Sequence, residues 1–198
     1  MNINGLKLHQ DVITIDQENE LVNFINNEKW NDSLTRRTQH YGYVYDYRRK
    51  RVTAKSTPIP QIFKDILDPY FKLDDLTQIL VNEYLPGQGI ASHIDSTEFD
   101  DTIMSLSLIS DTVMLLAKDK TKVNIFLPTR SLLVLQDDAR YKWTHGIENK
   151  KIDNKSTINV VTGNLKPNFY LKRGKRISIT IRKLKKEFNE LPYEVITK

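Results

Sequence analysis

Seven short β-rich runs between residues 77 and 184 constrain the fold more than any other feature of this chain. Polar or turn-forming residues separate each run from the next. In order, the runs are TQILVNEYL, TIMSLSLI, TVMLLAK, VNIFLP, SLLVLQ, YKWTHGI and RISITIRKL. Short strands at this density are typical of an antiparallel sandwich or barrel. We therefore expect a mainly β fold with flanking helices.

Helical patterns dominate the part of the chain that precedes these runs. Residues 16–30 and 59–67 both place apolar side chains at helical spacing, and Asp16 is the predicted N-cap of the first helix. Residues 12–15 (VITI) predict a short strand before it. Residues 150–170 are polar with two strand fragments, so we expect an insertion or long hairpin before the last strand.

The composition excludes several classes of protein. A chain of 198 residues can bury a sizeable core as one domain. It has no cysteine, which excludes disulfides, thiolate zinc sites and a cysteine nucleophile. No apolar run approaches the roughly 18 residues of a membrane span, and the N-terminus lacks the layout of a signal peptide. We expect an intracellular protein, cytoplasmic or nuclear, with no membrane partner and with a monomer as the default state.

Two histidines and one aspartate have the composition of a metal site. His93-x-Asp95 and His145 together match a facial triad of two imidazoles and one carboxylate. Such a triad leaves three positions of an octahedral Fe(II) open for a bidentate cosubstrate and dioxygen. The alternative is incidental, because His-x-Asp pairs occur by chance and a histidine on a strand is often a packed or solvated residue.

The last run, RISITIR at 176–182, suggests an anion site. Strand alternation puts Arg176, Ser178 and Arg182 on one face and the isoleucines on the other. Two arginines inside a β core need anionic partners, because a buried unpaired charge is costly, and a dicarboxylate could fill that role. Asn82 and Tyr84 share a face by the same alternation and could reach a carboxylate. The alternative is a solvent-facing edge strand with ordinary surface charges.

Taken in chain order, these motifs resemble those of the AlkB-type Fe(II)/2-oxoglutarate dioxygenases. They are N-x-Y at 82–84, PGQGI, H-x-D at 93–95, SLLVL, ARYKWTHGI and R-x5-R at 176–182. The resemblance implies a double-stranded β-helix (jelly-roll) core with N-terminal helices and a nucleotide-recognition lid. It implies one domain, with helices and lid in residues 1–75, the core in 76–186 and a C-terminal tail in 187–198. The implied cofactors are Fe(II), the cosubstrate 2-oxoglutarate and O2.

The resemblance also implies roles by position. The residues that correspond to iron ligands are His93, Asp95 and His145. Those that correspond to 2-oxoglutarate contacts are Asn82, Tyr84, Arg176 and Arg182, with Ser178 assisting. Arg140, in ARYKWTHGI, corresponds to a family arginine near the substrate pocket.

The segment TRRTQHYGYVYDYRRKR, residues 35–51, suggests a nucleic-acid substrate. It combines six basic residues with four alternating tyrosines predicted to line one face of a strand, and basic and aromatic side chains together suit phosphates and bases. Arg37, Tyr41 and Tyr43 are the predicted substrate contacts. The alternative is an amphipathic strand with its tyrosines on the core and a solvated run of charge beside it.

The implied activity is oxidative demethylation or hydroxylation of an alkylated or modified base in DNA or RNA. Within the family, QHYGYVY and ARYKWTHGI are most similar to the branch that hydroxylates a modified wobble uridine in tRNA. This chain departs from that branch in having no cysteines and in having Thr97 where the branch has a zinc-binding histidine. Two other hypotheses are a catalytically silent jelly-roll that binds nucleic acid and a 2-oxoglutarate oxygenase that acts on protein side chains.

Overall fold

A computed structural model describes residues 3–46, 48–49, 51–161 and 163–188. The helices are α1 Ile15–Asn27, α2 Gln61–Leu67 and α3 Asp137–Tyr141, followed near the C-terminus by a 3-10 turn, Lys186–Phe188. The strands are β1 Leu6–His9, β2 Arg37–Tyr41, β3 Tyr43–Asp46, β4 Arg51–Lys55, β5 Thr77–Tyr84, β6 Ile90–His93, β7 Phe99–Leu108, β8 Thr112–Lys118, β9 Thr121–Leu127, β10 Leu132–Leu135, β11 Thr144–Ile147, β12 Ile152–Asp153, β13 Thr157–Ile158, β14 Leu165–Lys166, β15 Leu171–Lys172 and β16 Arg176–Leu184.

Two six-stranded sheets form the body of the fold. The first has the order β1-β10-β7-β16-β5-β2 and the second the order β14-β13-β9-β8-β11-β6, while β12–β15 and β3–β4 form separate two-stranded pairs. Every pairing is antiparallel except that of β13 with β9. Each of the seven predicted runs contains a strand, so the prediction of an antiparallel β core is confirmed. In YKWTHGI only the last four residues are extended, because Tyr141 ends α3.

Two hydrophobic clusters give the fold its layers. One lies between the sheets and contains side chains of both, among them Ile103 and Leu135 of the first sheet and Leu116 and Ile125 of the second. The other covers the outer face of the first sheet, where α1 and α2 pack. The isoleucines of β16 all belong to this helix-side cluster. Arg176, Ser178 and Arg182 therefore face the space between the sheets, as alternation along the strand predicts.

The start of the first helix differs from the prediction. Thr14 is the N-cap: its hydroxyl accepts a hydrogen bond from the Gln17 amide, and the Gln17 side chain accepts one from the Thr14 amide. This capping box begins the helix at Ile15, so Asp16 lies inside the first turn, where its charge suits the helix dipole. The predicted strand at 12–15 is wrong for the same reason. The second predicted helix is confirmed as α2.

Gly42 divides the tyrosine-rich segment. Its φ of +78° is in the left-handed region, and a Cβ at this position would lie 2.1 Å from the Thr77 carbonyl oxygen. The chain leaves the first sheet here, so β2 ends at Tyr41 and the separate β3–β4 hairpin begins at Tyr43. The prediction that the tyrosines share one face is therefore wrong for Tyr41 and Tyr43, and Tyr47 lies outside the described residues.

The insertion predicted at 150–170 is confirmed as an excursion between β11 and β16 that contains four two-residue strands. A buried ion pair closes its base: Arg173 donates to both carboxylate oxygens of Asp153, at 2.6 and 2.7 Å, and to the Glu148 carbonyl at 2.6 Å. Most of the predicted C-terminal tail, residues 189–198, lies outside the described residues. Over the described part of the chain, none of the helices has the length and apolarity needed to cross a membrane.

Candidate metal centre

His93 and His145 face each other across two neighbouring strands. His93 ends β6 and is the direct register partner of His145 on β11, with ring centroids 4.5 Å apart. Asp95 follows two residues after His93, and its Oδ2 lies 3.4 Å from His145 Nε2. One ligand atom from each of the three residues lies within 4.8 Å of the others. The structure thus brings together the three residues that the sequence predicted as metal ligands.

The charge state of this cluster suits a divalent cation. Burial alone would raise the pKa of Asp95, but hydrogen bonding from His145 and the positive charge of Arg182 outweigh it and hold the pKa well below its usual range. Burial and the neighbouring His145 lower the pKa of His93. Its Nδ1 lies 2.9 Å from the Ala91 carbonyl oxygen, the contact that leaves Nε2 for a metal. Two imidazoles and one carboxylate are a donor set that fits Fe(II).

Arg182 holds the carboxylate of this cluster. Its Nη1 donates to Asp95 Oδ1 at 2.6 Å, and its Nε donates to Gln78 Oε1 at 2.6 Å. The guanidinium also stacks 3.9 Å from the centroid of Phe99 and 5.3 Å from that of Tyr45. Its Nη2 is buried with no hydrogen-bond partner among the described residues. Arg182 therefore has a structural role at Asp95, and its Nη2 nitrogen is left to donate to a ligand.

Arg176 is a buried cation with no carboxylate partner among the described residues. Only 4% of its surface is exposed, its Nη2 donates to Ser107 Oγ at 2.9 Å, and its Nε has no hydrogen-bond partner in the described part of the chain. Burial lowers its pKa to about 10, against the opposing effect of Tyr84. Because an uncompensated buried guanidinium is costly, this arrangement indicates a site for an anionic ligand.

A cavity of about 470 Å3 between the sheets connects these features. The predicted site residues that line it are His93, Asp95, His145, Asn82, Tyr84, Arg176, Ser178 and Arg182. Strand register explains their convergence, since Tyr84 lies opposite Arg176 and Asn82 lies opposite Ser178 on β5 and β16. Its volume is within the range of small-ligand sites. The cavity thus presents a candidate metal cluster and a buried cation to the same ligand.

The residues predicted to contact the substrate do not line this cavity. Arg37 points to the helix side of the first sheet and pairs with Glu83 at 2.8 Å, and Tyr41 is buried in the helix-side cluster. Tyr43 is buried between the sheets, with its hydroxyl donating to the Asp75 carbonyl. Sequence reasoning missed Arg36 and Tyr45, which do line the cavity. Strand parity could have found Arg36, because the residue before Arg37 must face the other side of the sheet.

Arg140 supports the metal loop rather than the cavity wall. It is 2% exposed and donates to the main-chain carbonyls of Asp95 at 2.9 Å, Ser96 at 2.7 Å and Phe99 at 3.3 Å. Its role near the substrate pocket stays a prediction; in the structure these bonds occupy its guanidinium, and it does not line the cavity. Glu98 accepts a hydrogen bond from the Val52 amide at 2.7 Å and so connects the β3–β4 hairpin to the same loop.

Comparisons with known proteins agree with this geometry. The sequence model of the 2OG-Fe(II) oxygenase superfamily matches residues 7–182 of this chain. The chain is 37% identical over 198 residues to the uncharacterized protein L905 of Acanthamoeba polyphaga mimivirus, covering 94% of this chain and 88% of that protein. It is 35% identical over 206 residues to the tRNA (carboxymethyluridine(34)-5-O)-methyltransferase ALKBH8 of Macaca fascicularis, covering 91% of this chain but only 30% of that protein.

The solved structure of OsALKBH1 has a similar fold. It superposes with a TM-score of 0.69 at 15% identity, covering 92% of this chain and 98% of that one. Together with the two facing sheets described above, this likeness confirms the predicted jelly-roll core.

Proposed function

The chain belongs to the AlkB-type 2OG-Fe(II) oxygenases, and from that premise we propose that it oxidises an alkylated or modified base in nucleic acid. Members of this family are dioxygenases that use Fe(II), 2-oxoglutarate and O2. The observation that supports the proposal most directly is the partly buried His93–Asp95–His145 cluster. It shares one cavity with the guanidinium of Arg176, which has no carboxylate partner among the described residues.

Each residue of the cavity has a proposed task. His93, Asp95 and His145 hold the metal, and Arg182 fixes the orientation of the carboxylate. Arg176 binds one carboxylate of 2-oxoglutarate, with Tyr84 as its neighbour. When bound, iron, 2-oxoglutarate and O2 together supply the chemistry that inserts one oxygen atom into a substrate C–H bond as 2-oxoglutarate becomes succinate and CO2. Because both sheets contribute these residues, we propose that the described part of the chain works as one unit.

The carbon that is oxidised determines the product. An N-methyl group, once hydroxylated, loses formaldehyde and leaves the unmodified base. A group attached through carbon keeps its hydroxyl and yields a stable alcohol. The same site therefore serves demethylation or hydroxylation, according to the substrate that it receives.

The β3–β4 hairpin supports a nucleic-acid substrate. Its outer end has three exposed arginines, Arg48, Arg49 and Arg51, which suit phosphate groups. In the same hairpin, Tyr45 lies one register position from Arg51 and lines the cavity, where an aromatic ring can stack on a base. The name of the ALKBH8 relative refers to tRNA, although the chain spans about 30% of that protein.

The alternatives explain less of the cavity. A silent nucleic-acid-binding module has no use for a buried unpaired arginine beside a metal-ligand cluster. An oxygenase of protein side chains has no need of the basic hairpin. Salt dependence separates it from the proposal, since binding through phosphates weakens steeply with added salt.

The test is turnover followed by product analysis. Purified protein with Fe(II) should convert 2-oxoglutarate to succinate, and Asp95→Ala or His145→Ala should abolish the conversion. His9→Ala is the matched control, because His9 is an exposed histidine on β1 and far from the cluster in the chain. Wild-type protein that does not consume 2-oxoglutarate contradicts the proposal.

Mass spectrometry of nucleosides identifies the substrate. DNA and tRNA are incubated with the loaded enzyme and then digested. Loss of a methylene mass from a nucleoside indicates demethylation, and gain of an oxygen mass indicates hydroxylation. Activity on a peptide, with neither nucleic acid altered, would favour the protein oxygenase.

A further inference from the structure

Arg36 contacts the cavity from the edge of the first sheet. It lies one residue before β2, lines the cavity and donates from Nε to Asn82 Oδ1 at 2.9 Å. The adjacent Arg37 points to the other side of the sheet, where it pairs with Glu83. None of the motifs quoted above for the family resemblance includes Arg36, and the arginine predicted to contact the substrate was Arg37.

Asn82 has an unused donor. It is 4% exposed, and its Oδ1 accepts the bond from Arg36. Its Nδ2 makes no hydrogen bond to any described residue, although the side chain lines the cavity. A primary amide has one acceptor oxygen and two N–H donors, whereas a guanidinium only donates. Arg36 therefore selects the amide orientation in which the oxygen faces Arg36 and the NH2 group is left for a ligand.

Register places this donor at a defined level of the cavity. Tyr84 and Arg176 form one cross-strand pair, and Asn82 and Ser178 form the next pair on the same face, two residues further along. Two residues of a strand span about 7 Å, which is roughly the length of a five-carbon dicarboxylate. If Arg176 binds the distal carboxylate, Asn82 lies at the level of the carboxylate next to the keto group.

We propose that Arg36 is a positioning residue for the 2-oxo acid: it holds the Asn82 amide with its NH2 group toward the carboxylate next to the keto group. This inference rests on the proposed function, in which the cavity holds 2-oxoglutarate. Without Arg36, the amide can turn its oxygen toward that carboxylate, which can only accept hydrogen bonds and is repelled. Since Arg36 leads directly into β2, the strand before the β3–β4 hairpin, it also connects the substrate side of the protein to the cosubstrate.

The test measures equilibrium binding of two 2-oxo acids to protein loaded with Mn(II), which avoids turnover. The probes are 2-oxoglutarate and 2-oxovalerate, which lacks the distal carboxylate. Arg36→Met should lower the affinity for both acids by the same factor, about ten- to hundredfold, because both acids have the carboxylate next to the keto group. Arg176→Met should lower the affinity for 2-oxoglutarate and leave that for 2-oxovalerate unchanged. Arg37→Gln is the matched control and should change neither, because Glu83 keeps Lys175 as a partner.

Two further variants show whether Arg36 acts through Asn82. Arg36→Lys should recover much of the affinity, because an ammonium group also only donates and selects the same amide orientation. In an Asn82→Ala background, Arg36→Met should have little further effect. In turnover assays, Arg36→Met should raise KM for 2-oxoglutarate more than it lowers kcat. Unfolding midpoints of all variants show that the fold is intact.

The possible outcomes separate the two proposals. If wild-type protein turns over 2-oxoglutarate and Arg36→Met binds both acids as wild type does, this inference is overturned and the proposed function stands. An equal loss on Arg36→Met with and without Asn82 also overturns it, because Arg36 then acts independently of the amide. If wild-type protein neither binds nor consumes 2-oxoglutarate, the proposed function itself fails.

Discussion

Arg182 donates a hydrogen bond of 2.6 Å to Oδ1 of Asp95, so a buried guanidinium is the direct neighbour of the carboxylate in the metal cluster. The other oxygen of Asp95 lies 3.4 Å from His145 Nε2. One carboxylate oxygen is thus held by the protein, and the other faces the site where the metal is expected. Metal affinity should therefore depend on a residue that does not itself bind the metal.

Arg182→Met should weaken metal binding and the fold together. The substitution leaves Asp95 buried without its cationic partner, which costs about 3–5 kcal/mol when one member of a buried pair is removed. We expect the affinity for Mn(II) to fall about ten- to hundredfold, as measured by titration, and the free energy of unfolding to fall with it. Lys183→Gln is the control, since it removes the pair with Asp74 and the contact of the ammonium group with the Phe71 ring, neither of which involves the metal cluster, and should cost about 1 kcal/mol. Unchanged metal affinity in Arg182→Met would show that Asp95 orients itself.

Arg176→Met should leave the ligand-free protein as stable as wild type, or more stable by up to about 2 kcal/mol, because it removes an uncompensated buried charge. The benefit of ligand should disappear, however. A ligand at a hundred times its Kd stabilises by about 2.7 kcal/mol, and saturating 2-oxoglutarate should do so for wild type only. Thermal and urea unfolding with and without 2-oxoglutarate measure both effects. Lys175→Gln, beside it in the chain but at the surface, should keep the stabilisation by ligand.

His40 should make the metal-free protein less stable in acid. Burial and the charges of Arg182 and Arg36 lower its pKa from 6.5 to about 4, so the folded state keeps it neutral. Between these two values the unfolded chain binds more protons than the folded one, and the free energy of unfolding falls as pH falls. The loss by pH 4 should be on the order of 3 kcal/mol.

Urea unfolding at several pH values measures this dependence. His40→Gln should flatten it, whereas His9→Gln, at an exposed position, should not. His93, whose pKa is also lowered, accounts for part of the remaining slope. A slope in His40→Gln equal to that of wild type would assign the whole effect to other groups.

Arg140→Met should destabilise the loop that contains Asp95. Four main-chain carbonyls, those of Asp95, Ser96, Phe99 and Asp100, lose their donor, which should lower the free energy of unfolding by about 2–4 kcal/mol and weaken Mn(II) binding. Nucleic-acid binding by the metal-free protein should keep its affinity and salt dependence. Lys142→Gln, which breaks an exposed pair with Asp138, is the control. A stable variant that binds metal but has lost nucleic-acid affinity would restore the role that the sequence suggested for Arg140.

The metal cluster and the anion strand could be predicted because their signals are local. His93-x-Asp95 is a contiguous motif, and alternation along RISITIR correctly placed Arg176 and Arg182 between the sheets. What alternation could not show is which arginine meets which acid. The pairing of Arg182 with Asp95 depends on how β16 lies relative to the loop after β6, and only the packed sheets determine this.

The prediction that the tyrosines of residues 35–51 share one face is wrong for Tyr41 and Tyr43, and the physical reason is local. Alternation was extended from Tyr41 through Tyr43, but Gly42 takes a positive φ and moves the chain out of the sheet. The alternation of side chains along the strand before Gly42 can be read from the sequence, and it points to Arg36, not Arg37, as the cavity residue. Arg140 gave no local signal, because its partners are carbonyl groups some forty residues earlier in the chain.

The ion pair of Arg173 with Asp153 fixes the base of the excursion between β11 and β16, while β13 joins the excursion to the second sheet through β9. Both ends of the excursion are fastened there, one to Asp153 and the Glu148 carbonyl just after β11, the other three residues before Arg176. Length changes confined to the segment between β13 and β14 should therefore leave β11 and β16, and with them His145 and Arg176, in place. For protein engineering, an affinity tag or a fluorophore inserted in this segment should leave the metal centre and the anion site unchanged.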